Sequence, residues 1–180
     1  PPVNRFFPFH ICESSAQEVW IACTDGPLRF AEGNFVLEQH GIAPEEAIVN
    51  DLEEAADGRL YAAVWGQGLF RREGDAPWQR LYPSEDDGDE GTGIRRLCES
   101  PDGSWWGIIG MNRLWRWQEN GWAQLDAPDL YFPDLMGLAA DDHGGLWLTT
   151  KAHGVIWVDR EGLSARADGD HAVPVARRYF

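Results

Sequence analysis

The chain has 180 residues, 43% of them apolar and ten of them tryptophan, enough large apolar surface to bury a sizeable core in one domain. Its 15 basic residues against 30 acidic ones leave a net charge of -15 at pH 7, which repels phosphate backbones and anionic lipid and so excludes nucleic acid and direct membrane contact. No apolar run reaches the ~18 residues that a membrane-spanning helix needs, and no signal-peptide pattern opens the chain.

In chain order the predicted elements fall into four similar groups. The first, residues 7–41, places Ile11, then Val19-Trp20, then Pro27-Leu28, and closes on Phe35. The second, residues 47–84, has Leu52, the turn Asp57-Gly58, Leu60-Tyr61, Gly68-Leu69 and Trp78. The third, residues 92–128, has Leu97, Asp102-Gly103, Trp105-Trp106, Arg113-Leu114 and Trp122. The fourth, residues 134–168, has Leu138, His143-Gly144, Leu146-Trp147, Gly154-Val155 and Leu163. Trp20, Tyr61, Trp106 and Trp147 are thus spaced by 41, 45 and 41 residues.

A period of about 40–45 residues is the mark of four-stranded propeller blades. Within the third group, Ile94–Glu99 reads as a first strand and Trp105–Ile109 as a second, rich in β-branched and aromatic residues. Leu114–Trp117 then makes a third strand and Trp122–Leu125 a fourth after the hairpin signal Asn120-Gly121. Adjacent pairs such as Trp105-Trp106 put bulk on both faces of a strand, which asks for neighbours on both sides. The fold class is therefore all-β, with four consecutive antiparallel blades. Val175–Phe180 matches Gly93–Cys98 and reads as the first strand of a fifth blade at 174–180, so an open arc of a larger propeller is expected. The alternative is that this strand folds back onto the first blade and closes a four-bladed ring.

The repeat resembles that of the two-component regulator propeller family. Ile94-Arg95-Arg96-Leu97 with Asp102-Gly103-Ser104-Trp105-Trp106 carries the resemblance, as do Leu135-Met136-Gly137-Leu138 with Gly145-Leu146-Trp147, and Gly68-Leu69-Phe70-Arg71. The first group departs from the pattern with Ser15-Ala16-Gln17 in place of the Asp-Gly turn, and Tyr61 stands where Trp belongs. The resemblance implies a periplasmic or otherwise extracytoplasmic sensor that couples ligand recognition to a histidine kinase or diguanylate cyclase.

Ligand sites gather on variable turns of a rigid scaffold. The turns between second and third strands differ from blade to blade, and they supply Trp65 and Gln67, Asn112 and Arg113, Lys151 and His153. These six are the candidate contacts for a polar ligand such as an oligosaccharide: an aromatic platform, amides and cations. The run Ser84–Gly91 holds five carboxylates but lacks the spacing of a calcium loop, and reads as a solvated insertion. The five histidines, at 10, 40, 143, 153 and 171, show no metal-ligand spacing, with His143 in the place of a turn Asp. Cys12, Cys23 and Cys98 form no CxxC and read as small strand residues. No nucleophile elbow or phosphate loop occurs. The expected function is non-catalytic sensing, without metal or cofactor; a plain binding scaffold and, third, a propeller lyase or hydrolase are the alternatives. The expected partners are the ligand, the remaining blades of a parent propeller, and a second copy of the chain.

Overall fold

A computed structural model describes residues 7–43, 47–82, 93–110, 113–118, 121–125, 135–167 and 176–179. Its regular structure is four antiparallel sheets of four strands and a single short helix among the described residues. The first sheet is β1 (Pro8–Glu13), β2 (Val19–Cys23), β3 (Gly26–Ala31) and β4 (Asn34–Leu37), and the second β5 (Val49–Glu54), β6 (Leu60–Val64), β7 (Gly68–Arg72) and β8 (Gln79–Tyr82). The third is β9 (Ile94–Glu99), β10 (Trp105–Ile109), β11 (Arg113–Gln118) and β12 (Gly121–Gln124). In the fourth, β13 (Leu135–Ala140), β14 (Leu146–Thr150) and β15 (Val155–Val158) are followed by α1 (Arg160–Ala167) and then by β16 (Ala176–Tyr179). Strands pair in sequence order within every sheet. The chain divides into two compact units, residues 1–95 and 96–180.

The repeat of the sequence is a repeat of hydrogen bonds. Trp20, Tyr61, Trp106 and Trp147 are each the second residue of a second strand. Before each of these strands the turn closes with the same pair of backbone bonds: Ser14 N to Glu18 O with Gln17 N to Ser14 O, and Ala55 N to Arg59 O with Gly58 N to Ala55 O. The third blade repeats them as Ser100 N to Ser104 O with Gly103 N to Ser100 O, and the fourth as Asp141 N to Gly145 O with Gly144 N to Asp141 O. Gly58, Gly103 and Gly144 take φ of 79°, 79° and 83° in this turn. In the first blade Gln17 is forced to φ 61° at the same place, a left-handed conformation that a side chain disfavours by about 1–2 kcal/mol. The fourth-blade turn is organised by Asp141, not by His143: Asp141 Oδ1 accepts from His143 N and from Gly145 N, both at 2.9 Å.

Each unit has its own core. In the first, Trp20, Val49, Leu52, Ala62, Val64, Phe70 and Trp78 form one buried cluster. Arg72 lies within it, its guanidinium 5.2 Å from the Trp20 ring and 5.9 Å from that of Trp78, and it pairs with Glu38 at 2.9 Å. Trp78 Nε1 donates to Glu38 O at 2.8 Å, and Arg29 reaches Glu38 from the other side, also at 2.8 Å. Burial alone would raise the Glu38 carboxyl, but the Arg72 and Arg29 guanidiniums outweigh it and hold it below its ordinary value. In the second unit the core gathers Trp106, Ile108, Leu114, Leu135, Leu146, Leu148, Ile156 and Leu163.

Three expectations are corrected. The C-terminal strand does not begin a fifth blade: β16 pairs antiparallel with β15, with Val155 opposite Tyr179 and Val158 opposite Ala176, as the outer strand of the fourth sheet. The fourth strand expected near Leu163 is replaced by α1, whose first turn is capped by Asp159, with Gly162 N bonding Asp159 Oδ1 at 2.7 Å. Leu163 still reaches the core, from the helix. In the first blade Ile11 and Phe35 occupy core positions of the repeat yet are 63% and 61% exposed. The acidic run Ser84–Gly91 lies outside the described residues.

Candidate functional site

The candidate contacts predicted on the second-to-third-strand turns are placed as follows. In the first unit Trp65 is 49% exposed at the end of β6. Gln67, beside it, turns inward: its Oε1 accepts from Ala43 N at 3.3 Å and its Nε2 donates to Ala43 O at 3.2 Å. It braces the turn beneath Trp65. In the second unit Arg113, Lys151 and His153 are exposed, Arg113 donating to Gln124 Oε1 at 2.8 Å. His153 lies in a turn held by its own backbone N bonding Thr150 Oγ1 at 2.8 Å. Asn112 lies outside the described residues.

At the opposite end of the same strands the second unit carries a cleft of about 340 Å³, lined by Pro101, Asp102, Asp142, His143, Gly144 and Arg160. It is built by the first-to-second-strand turns of the third and fourth blades and by the start of α1. Arg160 faces Asp102 across it at 3.5 Å. Burial would raise the Asp102 carboxyl, but bonds from Ser104 and the Arg160 and Arg116 charges lower it, so it stays ionised.

A third cluster, in the first unit, was not predicted from the sequence. His10 on β1 and Asp51 and Glu53 on β5 each bring one potential donor atom to within 4.8 Å of the other two. His10 Nδ1 stands 2.6 Å from Asp51 Oδ1 and 3.1 Å from Leu52 O. Asp51 is almost wholly buried, its side chain 2% exposed, whereas that of His10 is 31% exposed and gives the cluster a side open to solvent. Asp51 and Glu53 are two apart on one strand and so share a face. The register of β1 against β2 shifts between Pro8 and His10, and that of β5 against β6 shifts between Val49 and Asp51. Such a bulge re-aims the side chain that follows it, here His10 in one blade and Asp51 in the next.

The electrostatics follow from two carboxylates crowded beside one imidazole. The bond to Asp51 raises His10, more than offsetting the burial that lowers it. Burial first, then the Asp51 charge, pushes the Glu53 carboxyl up to about 7 despite the nearby His10. The adjacent Cys12 thiol is pushed up to about 12 by burial and by the charges of Glu53, Asp51 and Glu54, so it is a thiol and not a nucleophilic thiolate at neutral pH.

No family model matches the chain, and no curated protein matches its sequence. Solved structures do match its fold. An extracellular domain assigned to a hybrid two-component system of B. thetaiotaomicron aligns with 98% of this chain and 24% of its own length, at 18% identity and a TM-score of 0.72. The fold is that of a β-propeller. Virginiamycin B lyase from Staphylococcus aureus, in its complex with quinupristin, matches over 90% of this chain and 55% of its own, at 16% identity and TM-score 0.68. A gluconolactonase from Xanthomonas campestris matches over 87% and 60%, at 17% identity and TM-score 0.64. The chain spans about half the length of the lyase and about a quarter of that of the extracellular domain. Among the described residues no helix is long and apolar enough to cross a membrane.

Proposed function

We propose that this chain is a ligand-recognising segment of an extracytoplasmic sensor propeller, and that occupancy of its turns is passed to a histidine kinase or diguanylate cyclase elsewhere in the parent protein. The observation that carries this reading is the match of nearly the whole chain to the extracellular domain of a two-component system. The chemistry agrees with it. The first unit presents the Trp65 indole on a turn braced by Gln67, a platform on which the apolar face of a sugar can stack. The second unit presents Arg113, Lys151 and His153 on the equivalent turns, donors suited to hydroxyl and carboxylate groups.

Calorimetric titration of the parent ectodomain with a panel of neutral and acidic oligosaccharides tests the reading. Trp65→Ala and Arg113→Ala are each expected to weaken binding by about 2 kcal/mol, roughly 30-fold. Equal affinity of both variants and the parent would remove these turns from the site. Cleavage of the titrant during the experiment would favour instead an enzyme, as in the lyase and gluconolactonase that share the fold.

A further inference from the structure

We propose that His10, Asp51 and Glu53 form a binding site for a divalent transition-metal ion of the Zn²⁺ class. Three donors from two neighbouring first strands already lie within 4.8 Å of one another. On a shared ion, with bonds of about 2.0–2.2 Å, donor atoms sit about 3–3.5 Å apart, so small side-chain rotations close the set. The backbone prepares it. Bulges just before His10 and Asp51 occur at matching points of successive blades, and strand periodicity adds Glu53 to the face of Asp51.

The charge of the cluster also suits a cation. Asp51, its side chain 2% exposed, accepts from Leu52 N at 3.2 Å and stands 2.6 Å from His10 Nδ1, and a second carboxylate is held beside it. A divalent ion would bring two positive charges to the pair and bind both carboxylates. The donor set is one imidazole nitrogen and two carboxylates. That combination suits Zn²⁺, Co²⁺ or Ni²⁺ and disfavours both soft Cu⁺ and the oxygen-only Ca²⁺. Three protein ligands leave a coordination position open toward the solvent side of His10.

The test uses the full chain with Zn²⁺ by competitive calorimetry and with Co²⁺ by its visible absorption. One equivalent is expected to bind, with a Co²⁺ ligand-field band, and Ca²⁺ in excess is expected not to displace it. His10→Gln and Glu53→Gln are each expected to weaken Zn²⁺ at least about tenfold and to abolish the band. Glu53→Gln relieves like-charge crowding, so it is the variant least able to unfold the blade. A chain with the carboxylates of Ser84–Gly91 replaced by amides is expected to bind as the parent does. The proposal is overturned if affinity and band survive in both site variants, or if they disappear when the acidic run is neutralised.

Discussion

The Arg72–Glu38 pair is the structural element whose removal has the most calculable outcome. Arg72 is 5% exposed and Glu38 15% exposed, and the guanidinium lies against the edge-to-face pair of indoles of Trp20 and Trp78. Arg72→Met keeps most of the apolar stem and removes the charge. It leaves Glu38 with Arg29 alone on that carboxylate, so the loss falls at the lower end of the 3–5 kcal/mol expected for breaking a buried pair, about 3 kcal/mol including the cation–π contacts. With a urea m-value of about 1–3 kcal/mol/M, the midpoint for the first unit should fall by about 1–3 M. Glu38→Gln in the same background removes the charge that has lost its Arg72 partner, and the double variant should be less destabilised than the sum of the singles by about 1–2 kcal/mol. Acid adds an independent check. Glu38 has a folded-state pKa below its ordinary 4.5, so its contribution is present above that value and is lost as pH falls through the lowered one. The parent's advantage over Glu38→Gln should therefore shrink between about pH 5 and pH 2. Additive single losses below about 1 kcal/mol, with no acid dependence, would refute the reasoning.

Three further perturbations follow from the turns and the core. Gln17→Gly should stabilise the first blade by about 0.5–1 kcal/mol, since glycine adopts the left-handed turn without strain; an unchanged or lower melting temperature would contradict it. Gly41→Ala should destabilise by about 2 kcal/mol or more, because Gly41 sits at φ +101° and its new methyl would strike the backbone carbonyl of Trp78. Asp141→Ala should cost about 2 kcal/mol by orphaning the bond from Trp157 Nε1 and two backbone donors. The Trp157 bond foremost holds the Asp141 pKa below 3.8, so that deficit should be constant at neutral pH and diminish as pH falls through the lowered value, measured by denaturation at graded pH.

The period made most of the fold legible, because aromatic and turn positions recur where core contacts and turn bonds recur. What it missed are places where the chain breaks its own pattern. Asp159 caps a helix at the point where the other blades begin an outer strand, and the repeat template has no position for it. Ile11 carries a core residue's identity on a strand that is largely exposed, since apolarity marks a capacity for burial and not the presence of a neighbour. The His10, Asp51 and Glu53 cluster was hidden because its members are far apart in sequence and match no metal motif. A usable signal was nevertheless there. His10 and Asp51 are equivalent positions, each directly before the apolar residue of a first strand, and Glu53 directly follows Leu52. Equivalent positions of successive first strands lie side by side, so reading residues across blades rather than along the chain would have brought the three together.

The displaced outer strand of the fourth sheet has a consequence for assembly. In the other three sheets the outer strand follows its neighbour closely in sequence, Ala31 to Asn34, Arg72 to Gln79 and Gln118 to Gly121, so the sheet completes itself locally. The fourth receives β16 only after the chain has passed through α1, and among the described residues β16 joins the sheet by pairing with β15. A chain ended before Ala176 is expected to keep a three-stranded sheet with an open edge, to which a peptide of the same sequence should add by backbone pairing. Strand exchange between copies, if it occurs, is accordingly expected at the fourth blade and not at the three whose outer strands are close in sequence to their neighbours.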